Sequence, residues 1–397
     1  MRLKHQNARQ PPHPVDVPKS LQSLKRGKFP RILLLNDATD SQVVSTRGPF
    51  HFRLSTVDCR LLACATIRFL PPKHQIGPIG AFAVWAALTL IAVIYAFSVR
   101  LGRGDSAATL TTFSIYFAAA IFFTNREILD FVRSRFQSAA GYLLGVVALL
   151  AYLIFGFGTG TVTFARVAAI SALIFVPLAL AATARRARPG AWQDYVTIAA
   201  VWTAVKFSPT HWFWPSPGGL RLAYIFTVLL CVTVAVAAFL FIRQFEDTGY
   251  NIGWGSNWSI YVFGTFLCFA AIAIPLATGM GFVEFRPRWN EWEMFPFTAL
   301  AILCFTAWPE EFLFRGLLQN MLQRSTKSEN IAWVLASILF GFSHITNMGF
   351  PNWRYVILAS IAGMFYGWTW RLTNSIFASA IVHALVDALW HFLFRTL

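Results

Sequence analysis

Charged residues are scarce in this chain, and their scarcity excludes an ordinary soluble domain. Asp, Glu, Lys and Arg make up 13% of the 397 residues, whereas a soluble domain contains about 25%. Hydrophobic residues make up 56%, and the mean hydropathy is +0.55. We therefore expect a chain that lies in lipid, with its 39 Phe and 15 Trp residues suited to a bilayer and its interfaces.

Cysteine is also sparse, and its spacing excludes two kinds of cross-linked protein. The five cysteines form no C-x-x-C pair, and no His is spaced from them as in a structural zinc site. They are Cys59, Cys64, Cys231, Cys268 and Cys304, and the last three lie inside apolar runs. We expect small core residues and no disulfide framework.

Acidic residues are few near the beginning of the chain, so positive charge is concentrated there. Residues 1–75 contain 13 Lys/Arg and 4 Asp/Glu, which accounts for +9 of the net charge of +16. A basic segment before a first membrane helix follows the positive-inside rule, so we expect no nucleic-acid partner. No apolar run with a small-residue cleavage site follows, so no signal peptide is predicted. The segment is expected to be a disordered N-terminal extension.

Apolar runs separated by short polar breaks fill the chain from Ile79 onward, and each approaches the ~20 residues that cross the hydrocarbon. The runs are 79–99, 107–124, 137–157, 164–183, 192–208, 219–242, 258–279, 296–322, 331–348, 354–370 and 375–395. The runs 107–124 and 192–208 are short and could be interfacial, so we expect 8–11 crossings. Lipid offers no hydrogen-bond partner to a bare backbone. The predicted fold class is therefore an all-α polytopic membrane helix bundle.

Ionisable residues inside membrane spans are costly and mark functional candidates, and the first set is Glu310, Glu311 and Arg315. At 100° per residue, Glu311 and Arg315 lie ~40° apart and can form an ion pair, whereas Glu310 lies ~140° from Arg315. Glu310 is thus expected to face the bundle interior as a general base or acid. Alternatively, both glutamates bind Arg315 as a structural cluster. Pro309 suits a helix start or a kink.

Two further spans each carry a histidine. His344 ends an apolar run, and Phe340, one helical turn earlier on the same face, could wall a site. Taken alone, a histidine in such a position is more often a structural residue with satisfied hydrogen bonds than a catalytic one. His383 and Asp387 also share a helix face. That pair could bind a metal, polarise a substrate carbonyl or hold a water, or it could be a hydrogen bond that ties helices together.

The three patterns in this order, on three successive spans, resemble the CAAX-protease and bacteriocin-processing family of intramembrane peptidases, also called Abi proteins. That family is marked by EExxxR, FxxxH and HxxxN/D motifs. The resemblance covers about residues 295–395, and the polar stretch 243–250 is weakly similar to one that often precedes the domain. It implies an intramembrane endopeptidase with its core at 291–397, after transmembrane helices at 76–290. It also implies a multi-pass protein in the plasma membrane of a prokaryote.

The resemblance also implies roles for the seven motif residues. Glu310 and His344 would activate the attacking water, His383 and Asp387 would stabilise the oxyanion or bind a metal, and Glu311, Arg315 and Phe340 would support the site.

The cofactor stays open at this point. The chain has no H-E-x-x-H, so it is not an ordinary zincin. Glu310, His344, His383 and Asp387 could bind zinc or another divalent cation, and a metal-free glutamate mechanism fits them equally. Asp387 stands where eukaryotic prenyl-protein peptidases of this kind have Asn. An ionised Asp cannot donate a hydrogen bond to an oxyanion, which favours a metal-binding or water-holding role for it.

Two other classes of function also stay open. A transporter would use the same polar groups as an ion path, but it should show broken helices at corresponding positions of two repeats, and the sequence has no such duplication. A catalytically silent scaffold or immunity protein would keep the fold and bind a membrane partner. The expected partners are membrane lipid and a membrane-associated protein or peptide substrate. The oligomeric state and any prenylation of the substrate are not predicted.

Overall fold

The computed structural model describes residues 74–98, 103–215 and 222–397 of the chain. Helices dominate these residues, and eight of the described helices are long and apolar enough to cross a membrane. The predicted all-α membrane bundle is confirmed, with the number of candidate spans at the lower end of the expected range. The extension predicted for residues 1–75 lies outside the described residues, except for its last two positions.

The helices follow one another with short connections. In chain order they are α1 (Pro78–Ser98), α2 (Arg103–Phe122), α3 (Arg126–Phe136), α4 (Ala139–Gly158), α5 (Phe164–Thr183), α6 (Trp192–Phe207), α7 (Thr210–Phe213), α8 (Leu222–Ala235), α9 (Trp258–Gly279), α10 (Phe295–Ile302), α11 (Trp308–Glu311), α12 (Asn320–Thr326), α13 (Glu329–Phe342), α14 (Trp353–Thr373) and α15 (Ile376–Leu393). Of the two short predicted runs, 107–124 falls in a candidate span and 192–208 forms the shorter helix α6.

The outer surface of the bundle is apolar, as a lipid-facing surface should be, and many large hydrophobic side chains are exposed on it. This explains a wrong expectation about the cysteines. Cys231 is buried and Cys304 is half-buried, but Cys268 is exposed on the outer face of α9. In lipid an outward position is as apolar as the core, so apolar neighbours in the sequence do not place a residue inside. Cys59 and Cys64 lie outside the described residues.

The helix that carries both glutamates runs continuously past Pro309. Its segments are α10, the π-helical turn Leu303–Ala307, α11, the π-helical segment Phe312–Gln319 and α12. Proline removes one N–H from a helix and clashes with the preceding turn, and a π-helical turn directly before it is a known way to absorb such an irregularity. Of the two roles that Pro309 suits, a helix start is therefore not found, and Glu310 lies in mid-helix between two π-helical segments.

The polar stretch that follows α8 packs into one end of the bundle. The α8 helix continues as a π-helix, Val236–Ile242, and then Arg243 forms a buried ion pair with Asp194, with 2.6 Å between Nε and Oδ1. Gly249 has a positive φ of 69°, and its carbonyl accepts a hydrogen bond from the Ile376 N–H at 3.0 Å. The stretch therefore supports the first residues of α15, the helix that carries His383.

Two short antiparallel pairings close the bundle ends. Strand β1 (His74–Gln75) pairs with β2 (Gly253–Trp254), and β3 (Val283–Phe285) pairs with β4 (Phe394–Thr396). In the second pairing Val283 lies opposite Thr396 and Phe285 opposite Phe394. The segment after α15 is thereby fixed to the segment after α9, beside the mouth of the cavity described next.

Candidate active site

The three motif-bearing helices meet at one cavity of about 1020 Å³ inside the bundle. Its lining includes the predicted residues Glu310, Phe340, His344, His383 and Asp387. These residues are up to 77 positions apart in the chain. The sequence placed them on successive spans, and the fold brings their side chains to one cavity. The cavity is referred to below as the site cavity.

Glu311 lies outside the site cavity, and its carboxylate is fully partnered. Its side chain has no exposed surface, and its Oε1 lies 2.9 Å from Nδ1 of His383 and 3.1 Å from Nη1 of Arg315. Its Oε2 accepts a hydrogen bond from the Ser379 hydroxyl at 2.5 Å. Arg315 is also buried and donates to the Gly363 carbonyl at 3.1 Å. The ion pair predicted from helical spacing is present, and it extends across to α15.

Glu310 has the opposite surroundings. Its Oε2 is buried and has no hydrogen-bond partner among the described residues. Buried polar atoms are nearly always paired, so an unpaired carboxylate oxygen calls for an explanation such as a bound water or a substrate. The alternative in which both glutamates bind Arg315 is not found, because the ion pair of Arg315 is with Glu311.

His383 is held between two carboxylates. Nδ1 faces Glu311, and Nε2 lies 3.5 Å from Oδ2 of Asp387. The ring of Tyr366 stacks on the imidazole, with ring centroids 4.5 Å apart and planes 16° apart. Because an ionised carboxylate only accepts hydrogen bonds, Nδ1 of His383 is the donor to Glu311. This bond and the stacked ring fix the orientation of the imidazole and direct Nε2 to the site cavity.

His344 follows α13 and is also oriented through its Nδ1. That atom lies 2.8 Å from the carbonyl oxygen of Phe340 and 3.0 Å from the Ser343 hydroxyl. A carbonyl only accepts, so Nδ1 carries the proton and Nε2 is the basic nitrogen of the neutral ring. The ring of Tyr355 lies on another side, at 5.1 Å between centroids.

Phe340 packs against both histidines and against the guanidinium of Arg315. Its ring centroid lies 4.8 Å from that of His344 and 5.8 Å from that of His383. The guanidinium carbon of Arg315 sits 4.4 Å from the same ring, a distance suited to a cation–π contact. The wall predicted from the one-turn spacing therefore has a second role, since it also covers Arg315.

Several residues that contact the motifs were missed by the sequence reasoning. Tyr355 and Tyr366 come from α14, and aromatic residues in membrane spans are too common to stand out. Ser379 had a usable signal, because it lies one helical turn before His383 on the same face. Lys206 on α6 also lines the site cavity and donates a hydrogen bond to the Asn347 side chain.

The residues do not form a metal site as arranged. No group of three or more His, Cys, Asp or Glu side chains in the described parts of the chain is placed to hold one ion. Nδ1 of each histidine faces another protein group, which leaves the two Nε2 atoms and the carboxylates of Glu310 and Asp387 toward the site cavity.

Comparison with known families decides the class of this segment. Residues 292–389 match the model of the family described as type II CAAX prenyl endopeptidase Rce1-like. The chain carries an Rce1-like domain. All seven predicted site residues lie within this Rce1-like domain, which supports an assignment to a family of intramembrane endopeptidases. Comparison with curated proteins and with solved structures found no match.

The site cavity extends beyond the Rce1-like domain. Its lining also includes Lys206 from α6, Tyr224 from α8 and Phe269 from α9, all of which precede residue 292. The helices before the domain therefore supply part of the wall around the candidate catalytic groups.

Proposed function

We propose that this membrane protein is an intramembrane endopeptidase that hydrolyses a peptide bond of a membrane-associated protein or peptide. The observation that supports it best is the difference in surroundings between the two adjacent glutamates. Glu311 is saturated with partners, whereas Glu310 presents an unpaired carboxylate oxygen beside two histidines. A purely structural cluster would satisfy both carboxylates.

In the proposed mechanism, Glu310 and His344 activate a water molecule held in the site cavity. Glu310 takes the proton, the water oxygen bonds to the scissile carbonyl carbon, and the carbonyl electron pair moves to its oxygen. The tetrahedral species then collapses, the C–N bond breaks, and the departing amine receives the proton held by Glu310, either directly or relayed through Nε2 of His344. These steps balance without a cofactor, and they match the roles that the family resemblance implied.

His383 is the proposed donor to the carbonyl oxygen as it becomes negative. Carboxylates face both of its ring nitrogens, Glu311 at Nδ1 and Asp387 near Nε2, an arrangement that suits a ring with both nitrogens protonated. Asp387 then serves as an acceptor that holds the imidazole or a water. We retain Glu311, Arg315 and Phe340 as supporting residues, 291–397 as the peptidase core and 76–290 as the preceding membrane helices.

The test is a cleavage assay on the purified protein reconstituted in liposomes, with a membrane-peptide library and a prenylated CAAX peptide. The second substrate is included because the family description names that class. Glu310→Gln keeps the size of the side chain and removes the base, so cleavage should fall about 10²–10⁴-fold, the usual contribution of a general base. The matched control is Glu293→Gln, an exposed glutamate in the 3₁₀ turn Trp289–Met294 just before α10 that does not line the site cavity. It should cleave like the wild type.

Cleavage by Glu310→Gln at the wild-type rate would exclude the proposed base. A wild-type protein that cleaves nothing, while remaining folded and membrane-inserted, would instead favour the silent scaffold.

A further inference from the structure

Lys206 lines the site cavity and has no part in the mechanism proposed above. It lies in the last turn of α6, a largely apolar helix that precedes the Rce1-like domain. A lysine in such a helix is costly unless its charge meets a partner or water. The surroundings of its ammonium group therefore call for an explanation, as those of Glu310 do.

The face of α6 that carries Lys206 is turned to the site and not to lipid. Trp202, one turn earlier on the same face, also lines the site cavity. Its ring centroid lies 5.1 Å from that of Phe314, which follows Glu310 by four residues. A lysine that only reaches for the membrane surface extends along the outside of a bundle, and Lys206 does not. The cavity-facing side of α6 is thus packed against the helix that carries the candidate base.

An asparagine holds the ammonium group of Lys206 beside His344. Nζ donates a hydrogen bond to Oδ1 of Asn347, and the backbone N–H of Asn347 donates to the His344 carbonyl at 2.9 Å. The Asn347 side chain also interacts with the hydroxyl of Tyr355, whose ring packs on the imidazole of His344. Asn347 therefore ties Lys206 to the turn that carries a candidate catalytic histidine.

Within the described residues, Lys206 forms no ion pair. Two carboxylates line the site cavity, those of Glu310 and Asp387, and neither lies within 4.0 Å of Nζ. An ammonium group has three N–H donors and accepts no hydrogen bond. One bond to the neutral amide of Asn347 leaves two of these donors, and the positive charge, without a match among the described residues.

The permanent charges around the site cavity indicate what kind of group would match Lys206. The described lining contains three cations and two carboxylates, namely Lys206, Arg288, Arg395, Glu310 and Asp387. Both carboxylates have roles in the proposed mechanism, and Arg288 is partly balanced by Glu291 at 3.8 Å. A cation attracts an anion more strongly in a poorly hydrated cavity than in water. The group that would match Lys206 is therefore negatively charged.

We propose that Lys206 binds a carboxylate of the substrate peptide, with Asn347 holding the ammonium group in position. This rests on the proposed peptidase function and adds a requirement on its substrate. Charge-assisted N–H···O bonds join an ammonium to a carboxylate, and a peptide carries that group at its C terminus or on Asp and Glu. A cavity of about 1020 Å³ is of the size that holds a small ligand. The carboxylate is therefore expected within a few residues of the scissile bond.

The first test is steady-state cleavage by the full chain in detergent. A peptide that the wild type cleaves is compared with forms in which the C-terminal carboxylate is an amide, or in which Asp and Glu are replaced by Asn and Gln. Lys206→Gln should raise KM for the original peptide about 10- to 100-fold, the usual loss for a hydrogen bond to a charged group, with kcat unchanged. Lys206→Arg keeps the charge and should keep most of the affinity.

The neutralised peptides identify the source of the carboxylate. The form that lacks it should have a raised KM with the wild type, a comparison that needs no variant, and Lys206→Gln should raise that KM no further. The matched control is Arg286→Gln, an exposed cation after β3 that does not line the site cavity, and it should have the KM of the wild type. An equal loss of kcat with every peptide at unchanged KM would overturn the proposal, because Lys206 would then act on Glu310. An equal rise in KM for charged and neutral peptides would also overturn it.

Binding is measured separately in a Glu310→Gln background, where cleavage does not interfere. The probe is a dye-labelled short apolar peptide with a free C terminus, with a C-terminal amide, or with that amide and one internal Asp. By fluorescence anisotropy, a carboxylate form should bind more tightly than the plain amide, and the difference should disappear when Lys206→Gln is added. Equal binding of all three forms, or a difference that persists in Lys206→Gln, would overturn the proposal. If the wild type cleaves no peptide but this Lys206-dependent difference is present, the peptidase function fails and the carboxylate site stands.

Discussion

Glu310 and Glu311 are neighbours in sequence, and one residue of helical rotation gives them opposite surroundings. Glu311 points to α15, where His383 and Ser379 complete its partners, and Arg315 balances its charge from one turn further along. Glu310 is turned by about 100° and reaches the site cavity, where its Oε2 lacks a hydrogen bond among the described residues. The same chemical group is therefore saturated with partners in one position and left with an unpaired oxygen among the described residues in the next.

The stability of the two glutamine variants should separate these roles. Glu311→Gln leaves the buried guanidinium of Arg315 without a counter-charge, and breaking a buried pair in this way costs about 3–5 kcal/mol. Glu310→Gln removes a carboxylate that forms no ion pair with any described residue, so it should unfold at or above the wild-type temperature. Thermal unfolding in detergent measures both. A Glu310→Gln variant that is destabilised as strongly as Glu311→Gln would mean that Glu310 is also a structural residue.

Ser379 should behave as part of the same cluster. Its hydroxyl lies 2.5 Å from the Glu311 carboxylate, and a hydrogen bond to a charged group contributes roughly 1.5–3 kcal/mol. Ser379→Ala should therefore lower both the unfolding temperature and kcat, since Glu311 also orients His383. Ser337→Ala is the matched control, because Ser337 is also buried in a helix but its hydroxyl, among the described residues, donates to its own helix at the Trp333 carbonyl. Equal effects of the two substitutions would contradict the proposed link to the site.

For single residues, the sequence predicted the side-chain contacts and directions that depend on spacing within one helix. The pairing of Glu311 with Arg315 and the divergence of Glu310 both follow from 100° per residue. The contact between Glu311 and His383 joins residues 72 positions apart, and no single-helix rule contains it. Tyr366 was missed for the same reason, because its stacking on His383 depends on how α14 and α15 pack.

Among the elements, the irregular stretch after α8 packs closely against the end of α14. Gly249 lies there with a positive φ, and an added Cβ would come within 2.8 Å of Trp370 Nε1 and 2.9 Å of the Asn374 carbonyl oxygen. Both contacts belong to the end of α14, directly before the helix with His383. The stretch thus sets the position of α15 through close backbone packing.

Gly249→Ala should therefore lower the free energy of unfolding by more than the cost of a positive φ at a non-glycine residue. A non-glycine residue in the left-handed region costs roughly 1–2 kcal/mol, and overpacking adds about 1–3 kcal/mol. Gly160→Ala isolates the first cost, because Gly160 also has a positive φ but has open space around it. Unfolding of both variants in detergent gives the difference. If the two substitutions lower the free energy of unfolding by the same amount, the close approach to α14 contributes nothing to stability.

Hydropathy found the apolar helices well and the polar or mixed elements poorly. The break between the runs 107–124 and 137–157 contains α3, a surface helix in which no residue is buried, and apolar run length does not predict such a helix. Pro309 suited a helix start or a kink, whereas the apolar run 296–322 passes through it without a break. The run was the better guide, because π-helical turns let the helix continue through Pro309.

For the whole molecule, the site is larger than the segment that carries its motifs. The Rce1-like domain holds the seven predicted residues, but Lys206, Tyr224 and Phe269 from earlier helices complete the cavity wall. Buried aromatic contacts cross the same boundary, as between Tyr250 and Phe312, with ring centroids 4.4 Å apart. Composition predicted the helix bundle and motifs predicted the candidate site residues, but no motif marked the residues that complete the cavity wall. In sequence, an apolar residue that lines a cavity cannot be distinguished from one that faces lipid.

The segment 291–397 expressed alone should therefore fail to cleave a peptide that the whole chain cleaves. It would lose the walls from α6, α8 and α9, and water or lipid would enter beside Glu310. A chain of residues 74–397 serves as the control, since it keeps every described helix and should retain the activity of the whole chain. All three proteins are compared in the same detergent, with thermal unfolding to show that each is folded.

A folded 291–397 segment that cleaves at the rate of the control would show that the earlier helices are dispensable for catalysis. Loss of activity in the 74–397 chain would instead assign a catalytic contribution to residues before β1.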